Sequence, residues 1–456
     1  MCIKSLRLFV KVILWTLLLS ATAHAGNWNG SLTTKVQADN RISNETSYSS
    51  EIWGTYEYRG ANNNWRIAYD FLLRGSDLDS KTDDLAEFGI GYESGYKTYQ
   101  AFIEKTFSFM DTTIKAGRFQ RSDNLGFYLL DGAEIYYQSK NKGLAFRLYG
   151  GKPSRIDHLK TEKADLLYGA DVMFHYTPRW EGNNWLPLAL DVIDLRLGFQ
   201  QFNNTTDIGL LIDADDSVKL IDQTRLSVGF NTEGRILNWL SDKFEIRLLA
   251  TYRLDKHFFE NMLFETQLDV NKNLRLRYSY ELYDPNRISY PSFRERFYNY
   301  TNLGHQALSR ARFDYRLFEA LTISLGGLHS NREIGGTGNG VNAALKIKPW
   351  SGNTTTVSAD FLELGDESLY TLGFRFKQAI TSKLSLEVEA IIRKEDKLLY
   401  GDNNVLGGEI KVDYMLKNNL VLSLDTNYIR NSNFGDEHLG RFQVTYYFDN
   451  FKPKGQ

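Results

Sequence analysis

The chain has 456 residues with 54 Lys and Arg against 56 Asp and Glu, so it lacks the basic excess that a nucleic-acid partner calls for. Its single cysteine, Cys2, excludes an internal disulfide framework. Aromatic residues make up 14% and prolines number only 7, a balance suited to long uninterrupted strands.

The first element is a leader. Lys4, Arg7 and Lys11 flank the start of an apolar run from Val12 to Leu19, followed by Ala23-His24-Ala25, the layout of a secretory signal peptide with a small-residue cleavage site. The reading therefore divides the chain into a signal peptide, 1–25, and one domain, 26–456, with a net charge near −5 once the three leader cations are gone. Cys2 goes with the leader and does not follow the small-residue motif, so neither thiol chemistry nor a lipid anchor is expected. No later run of 18 apolar residues exists to form a membrane helix. The mean hydropathy of −0.40 does not argue against a membrane barrel, in which only alternate residues are apolar.

Strand-like alternation starts at Trp28, which leaves no room for an N-terminal plug domain. The stretch GSDLDSKTDD places Asp77, Asp79, Asp83 and Asp84 together and reads as a solvated loop. Next comes IKAGRFQRSDNLGFYLLDGAEIYYQSKNKGLAFRLYGGK, residues 114–152, with Gly117-Arg118, Gln120 and Asp131-Gly132. This stretch resembles outer-membrane channel barrels of the alginate-export type and related porins, in which a strand carrying Gly-Arg enters a loop and the next strand begins near Asp-Gly. Phe119 interrupts the pattern between Arg118 and Gln120. The resemblance implies a channel for an anionic polymer, with Lys115, Arg118 and Arg121 as solute contacts.

DADDSVKLID offers Asp213, Asp215 and Asp216, but Val218 replaces the glycine of a calcium loop and Thr224 its closing glutamate, so no metal is expected. From Phe244 to Leu254, apolar Phe244, Ile246, Leu248, Ala250 and Tyr252 alternate with Lys243, Glu245, Arg247, Thr251 and Arg253. In LRLRYSYEL, Leu274, Leu276, Tyr278, Tyr280 and Leu282 share one side of an extended chain and Arg275, Arg277, Ser279 and Glu281 the other. The following segment, 283–306, combines Arg287, Arg294 and Arg296 with Tyr290, Phe297 and Tyr298. Guanidinium forks and aromatic faces suit an anionic sugar chain; ordinary interface aromatics on a strand extension account for the segment equally well. Arg310, Arg312 and Arg316 follow, then Lys346, Lys348, Arg375 and Lys377, then Glu387, Glu389, Glu409, Asp413 and Asp425 on later alternating runs. The last run, Phe442, Val444, Tyr446 and Phe448, is similar to the aromatic C-terminal strand read by the barrel-assembly machinery. The chain continues through DNFKPKGQ, so Phe448 and Phe451 both qualify as the terminal aromatic.

From Trp28 to Phe448 the alternation gives roughly 22 runs of about ten residues, the length of a tilted membrane-crossing strand. A sandwich of this size would divide into smaller domains, and a β-helix would show a short repeat. The sequence thus predicts an all-β transmembrane up-and-down barrel in the outer membrane, with 18 to 24 strands by the usual boundary errors. The basic middle rows and acidic late rows would line the lumen, either paired with one another or setting ionic selectivity through a transverse field. The function read from this is passive passage of hydrophilic solutes, anionic or carbohydrate. The second reading is a structural sheath around a periplasmic or multihaem electron-transfer partner. The six mature histidines, His158, His175, His257, His305, His329 and His438, are isolated, so neither an enzyme nor a cofactor is expected.

Overall fold

The computed structural model describes residues 28–448 except 40–45, 61–63, 77–94, 124–125, 140–142, 155–165, 178–187, 207–219, 237–242, 256, 284–305, 333–335, 366, 399–400 and 433–434. Twenty-two strands follow in chain order: β1 (Trp28–Asp39), β2 (Ser47–Arg59), β3 (Trp65–Ser76), β4 (Gly95–Phe107), β5 (Thr112–Asp123), β6 (Gly126–Gln138), β7 (Leu144–Ser154), β8 (Leu166–Tyr176), β9 (Leu188–Thr206), β10 (Leu220–Ile236), β11 (Lys243–Arg253), β12 (Phe258–Asp269), β13 (Leu274–Tyr283), β14 (Gln306–Phe318), β15 (Leu321–Arg332), β16 (Gly336–Ile347), β17 (Asn353–Leu364), β18 (Glu367–Ala379), β19 (Leu384–Leu398), β20 (Gly401–Lys417), β21 (Leu420–Asn431) and β22 (Gly435–Phe448). Each pairs antiparallel with its neighbours in sequence, and β1 pairs with β22 from Gly30↔Phe448 to Asp39↔Leu439, which closes the sheet. The first strand begins and the last strand ends at the residues where the alternation starts and stops.

Closure places the start of β1 and the end of β22 at one rim. Connections at that rim are short, such as 108–111, 319–320 and 418–419, with 177–187 the long exception. The opposite rim carries 77–94, 207–219 and 284–305. Short turns mark the periplasmic side of an outer-membrane barrel and long connections the extracellular side. At the periplasmic rim Phe109, Phe318 and Trp350 stand exposed, as interface aromatics do. Phe448 ends the closing strand with its ring against Gly30, where any Cβ would come within 2.3 Å of it, and 5.3 Å from the Tyr56 ring.

Cross-strand partners share a face, so the register sorts every side chain. Leu195 and Leu197 lie opposite Phe230 and Val228, and Leu276 lies opposite Phe313. On this face apolar side chains are exposed, Leu197 at 47% and Val341 at 62%. The other face holds Glu51, Asp171, Gln200, Thr251 and Ser330, all buried among polar neighbours. An apolar convex face and a polar concave face are the two solvents of a barrel in lipid. The protein is a closed 22-strand antiparallel β-barrel of the membrane-spanning kind.

One sector departs from a simple cylinder. Gly117, Gly132 and Gly151 lie side by side across β5, β6 and β7. Gly117 has φ +120°, and a Cβ there would meet the Ala101 carbonyl at 2.3 Å; at Gly132 it would meet the Gly150 carbonyl at 2.0 Å. Only glycine permits such backbone approach. Beyond this line the ladders part: β4 pairs with β5 only as far as Ala101↔Arg118, although it pairs with β3 up to Gly95. Likewise β7 leaves β8 after Gly151 while staying with β6 up to Ser154. The upper parts of β5, β6 and β7 therefore form a three-strand flap that leaves the wall.

Leu197→Arg, at the middle of β9 on the convex face, should cost roughly 2–4 kcal/mol of folding stability in lipid. Arg310→Leu, on the concave face, should cost under about 1 kcal/mol, since its partner Glu281 is 3.7 Å away and both are exposed. Denaturant titration of the two variants in phospholipid vesicles checks the assignment. Equal losses would contradict it.

Candidate functional site

The flap's position follows from Arg121. By register, Asp171 on β8 aligns with Arg147, Tyr136 and Thr113, eight residues below Arg121 on β5. On a flat sheet that separation would be about 26 Å along the strand. Yet Arg121 binds Asp171 directly, donates to Glu134 at 3.0 Å and stacks 3.4 Å over the Tyr149 ring. The flap must bend inward at the glycine line and lie over the concave wall below it. Its Phe119 and Leu130 pack into one buried cluster with Ala68, Phe102, Tyr149, Leu167 and Phe202 of the wall.

Around this contact the wall is a dense ionic layer. Asp171, with its carboxylate fully buried, also binds Arg196 at 3.0 Å and lies 3.8 Å from Arg147, while Glu134 approaches Arg147 and Lys115 at 3.7 Å. Lys115 reaches Glu104 at 3.2 Å and sits over the Phe102 and Phe119 rings. Charges this deeply buried persist only where paired, and removing one partner of such a pair costs about 3–5 kcal/mol. Arg118 lies on the other face of the flap from Phe119. It forks onto Asp131 through two 2.5 Å hydrogen bonds and donates to the Thr98 carbonyl at 3.0 Å, where β4 has lost β5 as ladder partner. The two arginines of the Gly-Arg stretch thus have separate settings: Arg121 enters the wall, and only Arg118 stays partly exposed.

A second, open wall spans β11 to β14. Arg247 meets Glu265 at 3.4 Å, Arg275 meets Asp269 at 2.5 Å and Arg310 meets Glu281 at 3.7 Å. Arg277 and Arg312 lie directly opposite each other, a repulsive placement relieved by Asp314, which accepts from Arg277, from Arg312 at 2.8 Å and from Ser324. Asp314 lies at the base of this trio, with 11% of its side chain exposed against 42% and 43% for the two arginines. Arg316 is exposed at the periplasmic end of the row, whereas Arg253 is buried beside Asp255.

The late acidic rows do not stand alone. Arg375 donates to Glu387 at 2.7 Å and lies 3.7 Å from Glu389; Lys377 meets Glu387, Lys411 meets Asp413 at 3.4 Å, and Arg441 meets Asp425 at 3.2 Å. Glu409 lies opposite Glu389 in the register. Opposite charges interleave here, so the basic-to-acidic separation apparent along the chain is weaker around the lumen. Again the cation projects further, Arg375 at 50% exposure against 21% for Glu387.

Arg287, Arg294, Arg296, Tyr290, Phe297 and Tyr298 lie outside the described residues, as do Asp77, Asp79, Asp83, Asp84, Asp213, Asp215 and Asp216. Among the described residues no group of three or more His, Cys, Asp or Glu is placed to hold a metal ion. Sequence reasoning overlooks Glu134, Tyr149, Asp171 and Arg196, whose only signal is a polar residue at an inward parity on a separate strand.

No model of a known protein family matches the chain, and no curated protein does. Among solved structures, a variant of the ferric enterobactin receptor of Pseudomonas aeruginosa is similar over 93% of this chain and 82% of its own, at 9% identity and TM-score 0.56. The siderophore receptor PirA of the same organism is similar over 92% and 80%, at 9% identity and TM-score 0.55. OpdQ, also from P. aeruginosa, covers 92% and 99% at 12% identity with a TM-score of 0.40. The two receptors share the large closed barrel with this chain, and at such identity the likeness is one of fold.

Asp314→Asn should shift the reversal potential under a salt gradient toward anions, because it removes the negative charge shared by Arg277 and Arg312. It should also lower stability by roughly 1–3 kcal/mol through weakened charged hydrogen bonds. Planar-bilayer recording and denaturant titration read the two effects. A shift toward cations would contradict the placement of this trio on the lumen wall.

Proposed function

We propose that the barrel is a passive outer-membrane channel for small hydrophilic solutes, with a preference for anions, carbohydrate acids among them. The observation that carries this reading is the layering of charge on the open wall. On β13, β14 and β18 the guanidinium tips reach into the lumen while their carboxylates sit deeper, so a solute meets positive charge first. Arg275, Arg277, Arg310 and Arg312 face Asp269, Glu281 and Asp314, which leaves an excess of one cation before Arg316 is added. A lumen lined this way focuses a positive potential and raises the local anion concentration. The fork geometry of guanidinium further suits carboxylate groups. The flap supports the channel over the sheath reading, because it occupies lumen that an enclosed partner protein would need.

Replacing Arg275, Arg277, Arg310 and Arg312 together by Gln should move the reversal potential toward cations with barrel assembly intact. The shift should shrink in 1 M salt, where the screening length is about 3 Å. An unchanged reversal potential at low salt would contradict an anion preference set by this wall and favour the sheath.

A further inference from the structure

A barrel of 22 strands encloses a lumen too wide to discriminate solutes by its wall alone. Discrimination by size requires something that narrows the lumen, and among the described residues the flap is the element that leaves the ladder of the wall and lies inside it. We propose that this flap sets the size limit of the pore, and that Arg121 is the positioning residue that holds it down. The proposal rests on the channel reading above.

Three features make the flap a defined element. Its hinge is the glycine line Gly117, Gly132 and Gly151, where the backbones approach too closely for a Cβ at any of the three positions. Its underside carries Phe119 and Leu130, which seal against wall residues from five different strands, β3, β4, β7, β8 and β9. Its anchor is Arg121, whose side chain is 2% exposed and engages Glu134 of β6 and Asp171 of β8 at once while lying flat on Tyr149 of β7. The apolar seal is non-directional and would tolerate sliding. The planar guanidinium fixes both distance and angle, so it determines where the flap comes to rest. The flap's other face, carrying the Arg118–Asp131 pair at a third exposure, is then the surface that a passing solute meets.

The acceptor carboxylates keep other cations beside them when Arg121 is removed. Asp171 is held from the wall by Arg196 and faced by Arg147, and Glu134 is faced by Arg147 and Lys115. The wall side of the latch therefore stays ordered when Arg121 is removed, and the change falls on the flap.

The test uses the full barrel in planar bilayers, with unitary conductance and exclusion of polyethylene glycols of graded size as readouts. Arg121→Gln should raise the conductance and admit polymers that the wild type excludes, while the reversal potential set by the β13–β14 arginines stays in place. Arg121→Lys, which keeps the charge but not the fork, should fall between the two. If Arg121→Gln does not assemble, a chain in which 119–130 is replaced by a short Gly-Ser turn should show the enlarged limit. A wild-type size limit in the assembled Arg121→Gln or truncated barrel overturns the proposal. Absence of conductance in the wild type itself overturns the channel reading on which it rests, a result readily told apart from an unchanged size limit.

Discussion

In hydrocarbon no water is available to pair with a strand's edge, so each backbone N–H and C=O must find its partner inside the protein. This constraint forces the sheet to close, and the β1–β22 ladder is where it does. Closure in turn forces strict inside-outside alternation on every strand, since a slip of one residue would carry charge into lipid. Arg277 and Leu276 are chain neighbours with opposite environments for this reason. The closing ladder also needs Gly30, because the terminal Phe448 ring occupies the space a side chain there would take.

The same constraint limits how the lumen can be narrowed. A wall strand that turns inward gives up ladder partners, so the turn has to be confined and compensated. Confinement comes from aligning three glycines across β5, β6 and β7, which lets the strands bend together and stay paired with one another. Compensation comes in part from Arg118, whose guanidinium takes up the Thr98 carbonyl on the strand left behind. Arg121 then pins the bent sheet against the wall. The polar network and the fold are not separable here: the buried charge of Arg121, costly elsewhere, is matched because the bend brings it onto Glu134 and Asp171.

Much of this was legible in the sequence. Two solvents imposed on a strand leave a period of two in its residues, so the alternation from Trp28 to Phe448 marks strand number and ends, and LRLRYSYEL shows its inward arginines without any structure. The hinge is less visible, because the alignment of Gly117, Gly132 and Gly151 depends on the register of three strands. Gly117-Arg118 and Asp131-Gly132 stand out as a motif, yet nothing local to the motif says that Arg121 turns into the wall. Its partner Asp171 is 50 residues away on β8, on a run with no charge pattern of its own. Charge balance misleads for a similar reason. Read along the chain, basic rows precede acidic ones; around the barrel, Arg375, Lys377, Lys411 and Arg441 sit among the late carboxylates.

The central claim is that one face of each strand meets lipid and the other a water-filled lumen. A set of single-cysteine variants along β13 measures this most directly, using residues 26–456, which contain no cysteine of their own. Cysteine at Arg275, Arg277 and Ser279 should react with a charged, membrane-impermeant thiol reagent in reconstituted vesicles. Cysteine at Leu276, Tyr278 and Tyr280 should be protected there and react only after detergent denaturation. Alternation with this phase is the result the account predicts; uniform reactivity, or alternation with the opposite phase, would contradict it.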